Sequence, residues 1–166
     1  MTVVGFTGHQ NIPAEAIKYV KEHVCSELKT FDSRTLVGMC SLADGSDQLF
    51  AQLILDAGGG LHVVVPSSGY ETTFDAQGLS RYRQLLSRAS KTETLNWPEP
   101  SEDAFLAAGR LVADRSDVLI AVWDGQEAQG KGGTADIVRY AQQKGKRTII
   151  IWPKGVIRER PGRQLS

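Results

Sequence analysis

Gly130-Lys131-Gly132-Gly133-Thr134, at the start of a helical pattern, is the segment whose residue types point most directly to chemistry. Glycines let main-chain N–H groups close on an anion, and a helix N-terminus adds roughly half a positive charge. Gly132, Gly133 and Thr134 are therefore candidate phosphate contacts, with Thr134 able to cap the helix or to give its hydroxyl to a ligand. A capped loop with no ligand accounts for the same residues equally well. The spacing is not that of a Walker loop, and no Gly-x-Gly-x-x-Gly follows the first apolar run.

Asp44, Asp47, Asp124 and Asp136 all fall near expected loop–helix junctions. Carboxylates there can hold ribose hydroxyls, polarise a water or bind a metal. They can equally serve the turn and the first helical turn. The turn role is favoured for Asp44 and Asp47, and a ligand role for Asp124, which ends an intensely apolar strand. Gly8, His9 and Gly45 complete the candidate ligand contacts. If the chain is an enzyme, Asp124 and Asp136 are the residues to carry catalysis. His9, His23 and His62 have no metal-ligand spacing, so no metal is expected. No cofactor is implied. Arg81, Arg83, Arg110 and Arg115 are placed on helices near the expected cleft, where any could meet a phosphate. No serine sits in a Gly-x-Ser-x-Gly elbow.

The elements that must position these residues alternate. Apolar runs at Thr2–Phe6, Thr35–Cys40, Leu61–Val65, Thr92–Leu95, Val118–Trp123 and Thr148–Trp152 read as strands. Between them, helical spacing predicts helices over about Pro13–Lys29, from Asp47 to Ala57, Leu79–Arg88, from Ser101 onward, and Thr134–Lys144. Ser67 to Gly78 reads as a polar, turn-rich loop that could act as a lid. Strands apolar on both faces, alternating with amphipathic helices, predict an α/β fold: a doubly wound, mainly parallel sheet with helices on both faces. Ligands in such sheets bind beyond the carboxyl ends of the strands. That places Thr7-Gly8-His9-Gln10, Ala43 to Asp47, Ser67 to Phe74 and Asp124 to Asp136 at one edge.

The chain has 166 residues, with 19 basic and 19 acidic side chains and no net charge. A single Rossmann-like domain over residues 1–152 and a basic, polar tail over 153–166, carrying Arg158, Arg160 and Arg163, is the expected organisation. No apolar run is long enough for a membrane helix, and the first residues lack the pattern of a signal peptide. Cys25 and Cys40 form no disulfide framework, so reduced thiols and a cytoplasmic setting are expected. Charge neutrality and a lack of aromatic stacking pairs disfavour nucleic acid as a partner. A homo-oligomer stays open, with the helix of Arg81 and Leu85 as one candidate face.

Taken together, several of these motifs form a pattern: Thr7-Gly8-His9, Leu42-Ala43-Asp44-Gly45-Ser46-Asp47-Gln48-Leu49, Pro66 with Tyr70 and Phe74, Ala108-Gly109-Arg110, and Ser116 to Gly125 followed by Gly132-Gly133-Thr134-Ala135-Asp136. The pattern resembles the SLOG superfamily, the Smf/DprA–LOG-like group of Rossmann-like domains, and within it the YpsA-like branch. The resemblance implies a domain that binds nucleotides or nucleotide-derived signals. Ser41 to Gln48 also looks like the Ser-Gly-Leu-Ala-x-Gly-x-Asp turn of the Smf proteins, which bind single-stranded DNA. Gly132 to Asp136 is similar to the Gly-Gly-x-Gly-Thr-x-x-Glu loop of cytokinin-activating phosphoribohydrolases, and to the helix start of nucleoside deoxyribosyltransferases. Matching Gly133-Thr134 to either puts Ile137 where those enzymes carry glutamate, with Asp136 one residue early and about 100° around the helix. The leading expectation is a nucleotide-binding or nucleotide-sensing module whose partner is a small-molecule nucleotide or a derivative of one. The alternative is a nucleotide N-glycosidic hydrolase or transferase using Asp124 or Asp136, with single-stranded DNA binding third.

Overall fold

The computed structural model describes residues 1–127 and 133–157. The strands are β1 (Thr2–Gly8), β2 (Leu36–Cys40), β3 (Gly60–Val65), β4 (Lys91–Thr94), β5 (Val118–Val122) and β6 (Arg147–Ile151). The α-helices are α1 (Ala14–Leu28), α2 (Ser46–Asp56), α3 (Ala76–Ser87), α4 (Glu102–Arg115) and α5 (Thr134–Gln143), with a 3-10 turn over Tyr70–Thr73. All strand pairs are parallel, in the order β4-β3-β2-β1-β5-β6. The expected doubly wound α/β sheet is the fold observed.

Its two cores follow from the two-residue side-chain period of a strand. Val4, Phe6, Val63, Val65, Ile120 and Val122 join α1, α2 and α3 in one cluster, through residues such as Val20, Phe50 and Leu85. Their chain neighbours Val3, Val64 and Leu119 point the other way, to Ala108, Val112, Ile137 and Ala141 of α4 and α5. Strands covered on both faces are apolar throughout, and β5 is buried at every position. Cys40 is buried at the end of β2, and Cys25 is half-buried; both thiols are free. Among the described residues, no helix is long and apolar enough to cross a membrane.

Two local expectations are corrected. Ser67 to Gly78 is not one open loop. It contains the 3-10 turn, and α3 begins inside it, where the Asp75 carboxylate accepts the Gly78 N–H at 2.7 Å as an N-cap. Thr134 does not cap α5: Gly133 holds the N-cap position with no side-chain bond, and Thr134 is the first helical residue. Ser101 does cap α4, accepting the Ala104 N–H at 3.0 Å. Arg158, Arg160 and Arg163, and with them most of the expected tail, fall outside the described residues.

Candidate functional site

The order of the strands fixes where a ligand can enter. From β1 the chain winds outward through β2 and β3 to β4 on one face, then crosses by α4 to the other face and adds β5 and β6. Loops leaving β1 and β5 therefore diverge, and a crevice opens beyond their carboxyl ends. A cavity of about 530 Å3 occupies it, within the range of about 300–1,000 Å3 usual for small-molecule sites.

One wall is the tip of β1. Gly8 lies against α2, where any Cβ would run into the Ser46 hydroxyl, and that hydroxyl donates to the His9 carbonyl at 2.7 Å. The His9 ring is buried beside Asp124: Nε2 is 3.1 Å from both the Asp124 main-chain N–H and its Oδ1. With the ring proton on Nδ1, Nε2 accepts the N–H; with a proton on Nε2, it donates to the carboxylate, so the tautomer decides which of the two contacts is made. The same Oδ1 accepts the Gln126 N–H at 3.0 Å. Asp124 therefore holds the β1 tip to the segment after β5, and it does not line the cavity.

The floor is the turn between β2 and α2. Leu42 is fully buried with φ 56°, a strained conformation for a branched residue, and Gly45 has φ 82° with the Gln10 carbonyl where a Cβ would be. This tight turn aims Asp47 inward. Its Oδ2 accepts the Ser41 and Ala43 N–H groups at 3.3 and 3.2 Å, while Oδ1 has no partner among the described residues. Burial outweighs those two bonds and pushes the Asp47 pKa up to about 7. Asp44 also lines the cavity, with Arg81 bound to it at 3.2 Å and to Gln48 at 3.0 Å. Gly45 supports the turn from outside the cavity.

The third wall is aromatic. Tyr70, Phe74 and Phe105 face the space, with Tyr70 edge-on to Phe74 at 5.1 Å. Tyr70 is 94% buried (6% exposed), its hydroxyl has no partner among the described residues, and burial together with the nearby Asp47 charge raises its pKa. The expected lack of aromatic stacking surfaces is thus incorrect. Tyr70 stands in an irregular segment with no periodicity to mark it, and Phe105 has the helical spacing of a core residue.

The start of α5 closes the fourth side. Gly133, Thr134, Ala135 and Ile137 line the cavity, and Gly132 falls outside the described residues. Thr134 is 8% exposed, and its hydroxyl has no partner among the described residues. The first-turn N–H groups of Thr134 and Ala135 likewise meet no acceptor there, as a helix N-terminus leaves them. Asp136 points away from the cavity lining toward Arg139, at 3.9 Å. Ile137 takes the inward position instead, against Gly109.

The sheet edge thus gathers Gly8, His9, Asp44, Asp47, Gly133 and Thr134 around one space, and leaves Gly45, Asp124 and Asp136 off its surface. The four arginines considered as phosphate ligands are engaged elsewhere. Arg81 binds Asp44, Arg83 binds Glu71, Arg115 binds Glu93, and Arg110 lies over the Tyr140 ring. None lines the cavity.

No protein-family model and no curated protein matches the sequence. Solved structures do match in fold. DNA processing protein A from Streptococcus pneumoniae aligns at TM-score 0.67 and 18% identity, over 95% of this chain and 52% of that one. DNA processing protein A from Helicobacter pylori, described with a single-stranded DNA binding mode, aligns at 0.67 and 20%, over 90% and 64%. The structural-genomics target TM1055 aligns at 0.53 and 18%, over 89% and 72%. The chain spans about half of the pneumococcal protein and under two thirds of the Helicobacter one. The likeness is one of fold, a Rossmann-like parallel α/β sheet.

Proposed function

We propose that this SLOG-fold chain binds a nucleotide or a nucleotide derivative in the crevice between the β1 and β5 tips. The phosphate sits on the N-terminus of α5, held by main-chain amides from Gly133 to Ala135 and by the Thr134 hydroxyl. Gly8 and His9 form the side of the ligand pocket, with Asp44 and Asp47 beneath the sugar and base. Asp124 acts through His9 as a positioning residue. One observation carries the reading: Thr134, a residue only 8% exposed, has a hydroxyl without a partner among the described residues, beside unclaimed helix-start amides in a cavity of nucleotide size. Each group lacks an acceptor that an anion would provide.

N-glycosidic turnover fits the geometry less well. Asp124 and Asp136 do not line the space, and the inward position beside Thr134 is the hydrocarbon of Ile137. A single-stranded DNA role, suggested by the single-stranded DNA binding of the similar Helicobacter protein, gains an aromatic wall. It still lacks cations on the cavity lining among the described residues.

Calorimetric titration of the chain against nucleoside 5′-monophosphates, cyclic nucleotides and ADP-ribose tests the binding reading. At least one should bind, and Thr134→Val should weaken it about ten-fold, the loss expected for one charge-assisted hydrogen bond. Silence across the panel, or unaltered affinity in the valine variant, would refute the phosphate seat.

A further inference from the structure

The end of the cavity opposite α5 has a chemistry of its own. Asp44 and Asp47, on the turn after β2, line the cavity there; the exposed Glu102 and Glu127 also line it, Glu127 beside α5 through Arg139, and no lysine or arginine is on the lining among the described residues. Asp44 and Glu127 have cation partners outside it, Arg81 and Arg139. Asp47 and Glu102 have none within ion-pair distance among the described residues. The Tyr70 ring lies within electrostatic reach of Asp47 and Asp44 and lines the same space as Phe74 and Phe105; Tyr70 is 6% exposed, and its hydroxyl has no partner among the described residues.

Granting the nucleotide reading, on which this rests, we infer that the heterocycle taken by the cavity is cationic: a pyridinium or an N-alkylated base on a 5′-monophosphate. A flat ring suits the aromatic faces, and its positive charge is attracted both to their π-electrons and to the carboxylates. A neutral base would leave the buried Asp47 uncompensated, and an anionic one would be repelled by it. A compact ammonium would meet the acids but leave the ring faces unfilled. The two ends of the site are then complementary to the two ends of the ligand, anion to α5 and cation to the acidic aromatic wall. Asp47 fits this use. Held half-neutral by burial near pH 7, it is drawn to its ionised form by a neighbouring ring cation, so the cation binds better as pH rises from 6 to 8.

The test compares nicotinamide mononucleotide with its reduced form and with uridine 5′-monophosphate, by calorimetry at pH 8. The first two share shape and phosphate and differ in ring charge. The oxidised form should bind about ten-fold more tightly than the reduced one, and Asp47→Asn should shrink that preference to about three-fold or less. Equal affinity of the two redox forms overturns the cationic-ring inference while leaving nucleotide binding intact. A preference undiminished in Asp47→Asn removes Asp47 from it. If none of the three binds at millimolar concentration, the nucleotide reading itself falls, and this inference with it.

Discussion

Replacing Asp47 by asparagine isolates the cost of burying its charge. In the unfolded chain this carboxyl has its ordinary pKa of 3.8; in the fold, burial raises it to about 7. Between those values the folded state binds the proton and the unfolded state does not, so stability falls as pH rises from about 4 to about 7 and is flat above. At about 1.4 kcal/mol per unit, the full effect is on the order of 4 kcal/mol, and about 2.5 kcal/mol of it develops between pH 5 and pH 8. Asparagine keeps an oxygen for the Ser41 and Ala43 N–H groups and carries no charge at any pH. Whatever the exchange does at pH 5, the variant should gain on the parent by about 2.5 kcal/mol by pH 8, a relative Tm shift of about 5–10 °C. Histidines and other groups titrating in this window cancel in the difference. Urea or thermal denaturation of both proteins at half-unit steps of pH measures it. Parallel profiles would mean that the carboxylate titrates normally, and the account of a charge-disfavouring burial of Asp47 would be wrong.

Three further substitutions test the architecture around the site. Gly45→Ala and Gly125→Ala both force a side chain onto φ near 83°, but only the first meets the Gln10 carbonyl, the second having open space. The second should cost about 1 kcal/mol and the first about 3 kcal/mol, and equal losses in denaturant titrations would contradict the close approach of the two loops. Ser101→Ala removes the cap of α4 and should lower Tm by about 2–4 °C; no change would show the cap to be inert. Tyr70→Phe deletes a hydroxyl with no described partner, so thermal stability should hold or rise slightly. A loss above about 2 kcal/mol would reveal a structural bond at that oxygen.

The fold was legible because its signals are local and repeated. The five residues of β5 are all buried, as an unbroken apolar run requires of a central parallel strand, and α1 and α4 carry their buried residues at helical spacing. The segment before α3 was not, because a four-residue 3-10 turn has too few residues to show a period, and the Asp75 cap sits inside a polar stretch. At the sheet edge, topology alone brings Gly8, His9, Asp44, Asp47, Gly133 and Thr134 to the lining of one cavity. What topology leaves open is which way a side chain turns. Asp124 turns back to the His9 ring, and Asp136 lies one residue from the inward position that Ile137 takes. The aromatic wall escaped for a related reason: Phe105 satisfies the pattern of a core residue, and only the geometry shows that this part of the core borders a cavity.

The placement of β1 has a consequence for how the molecule comes into being. This first strand pairs on one side with β2 at once, but its other neighbour is β5, registered as Val4 to Val118 and Gly8 to Val122. A growing or truncated chain that stops before β5 leaves the middle strand with an open edge, and it lacks the helix start that faces the β1 tip. Such non-local pairing slows assembly and exposes sticky edges meanwhile. A ligand of the proposed site would therefore meet a complete cavity only after the last third of the polypeptide has docked, and its presence would select for completed molecules over fragments.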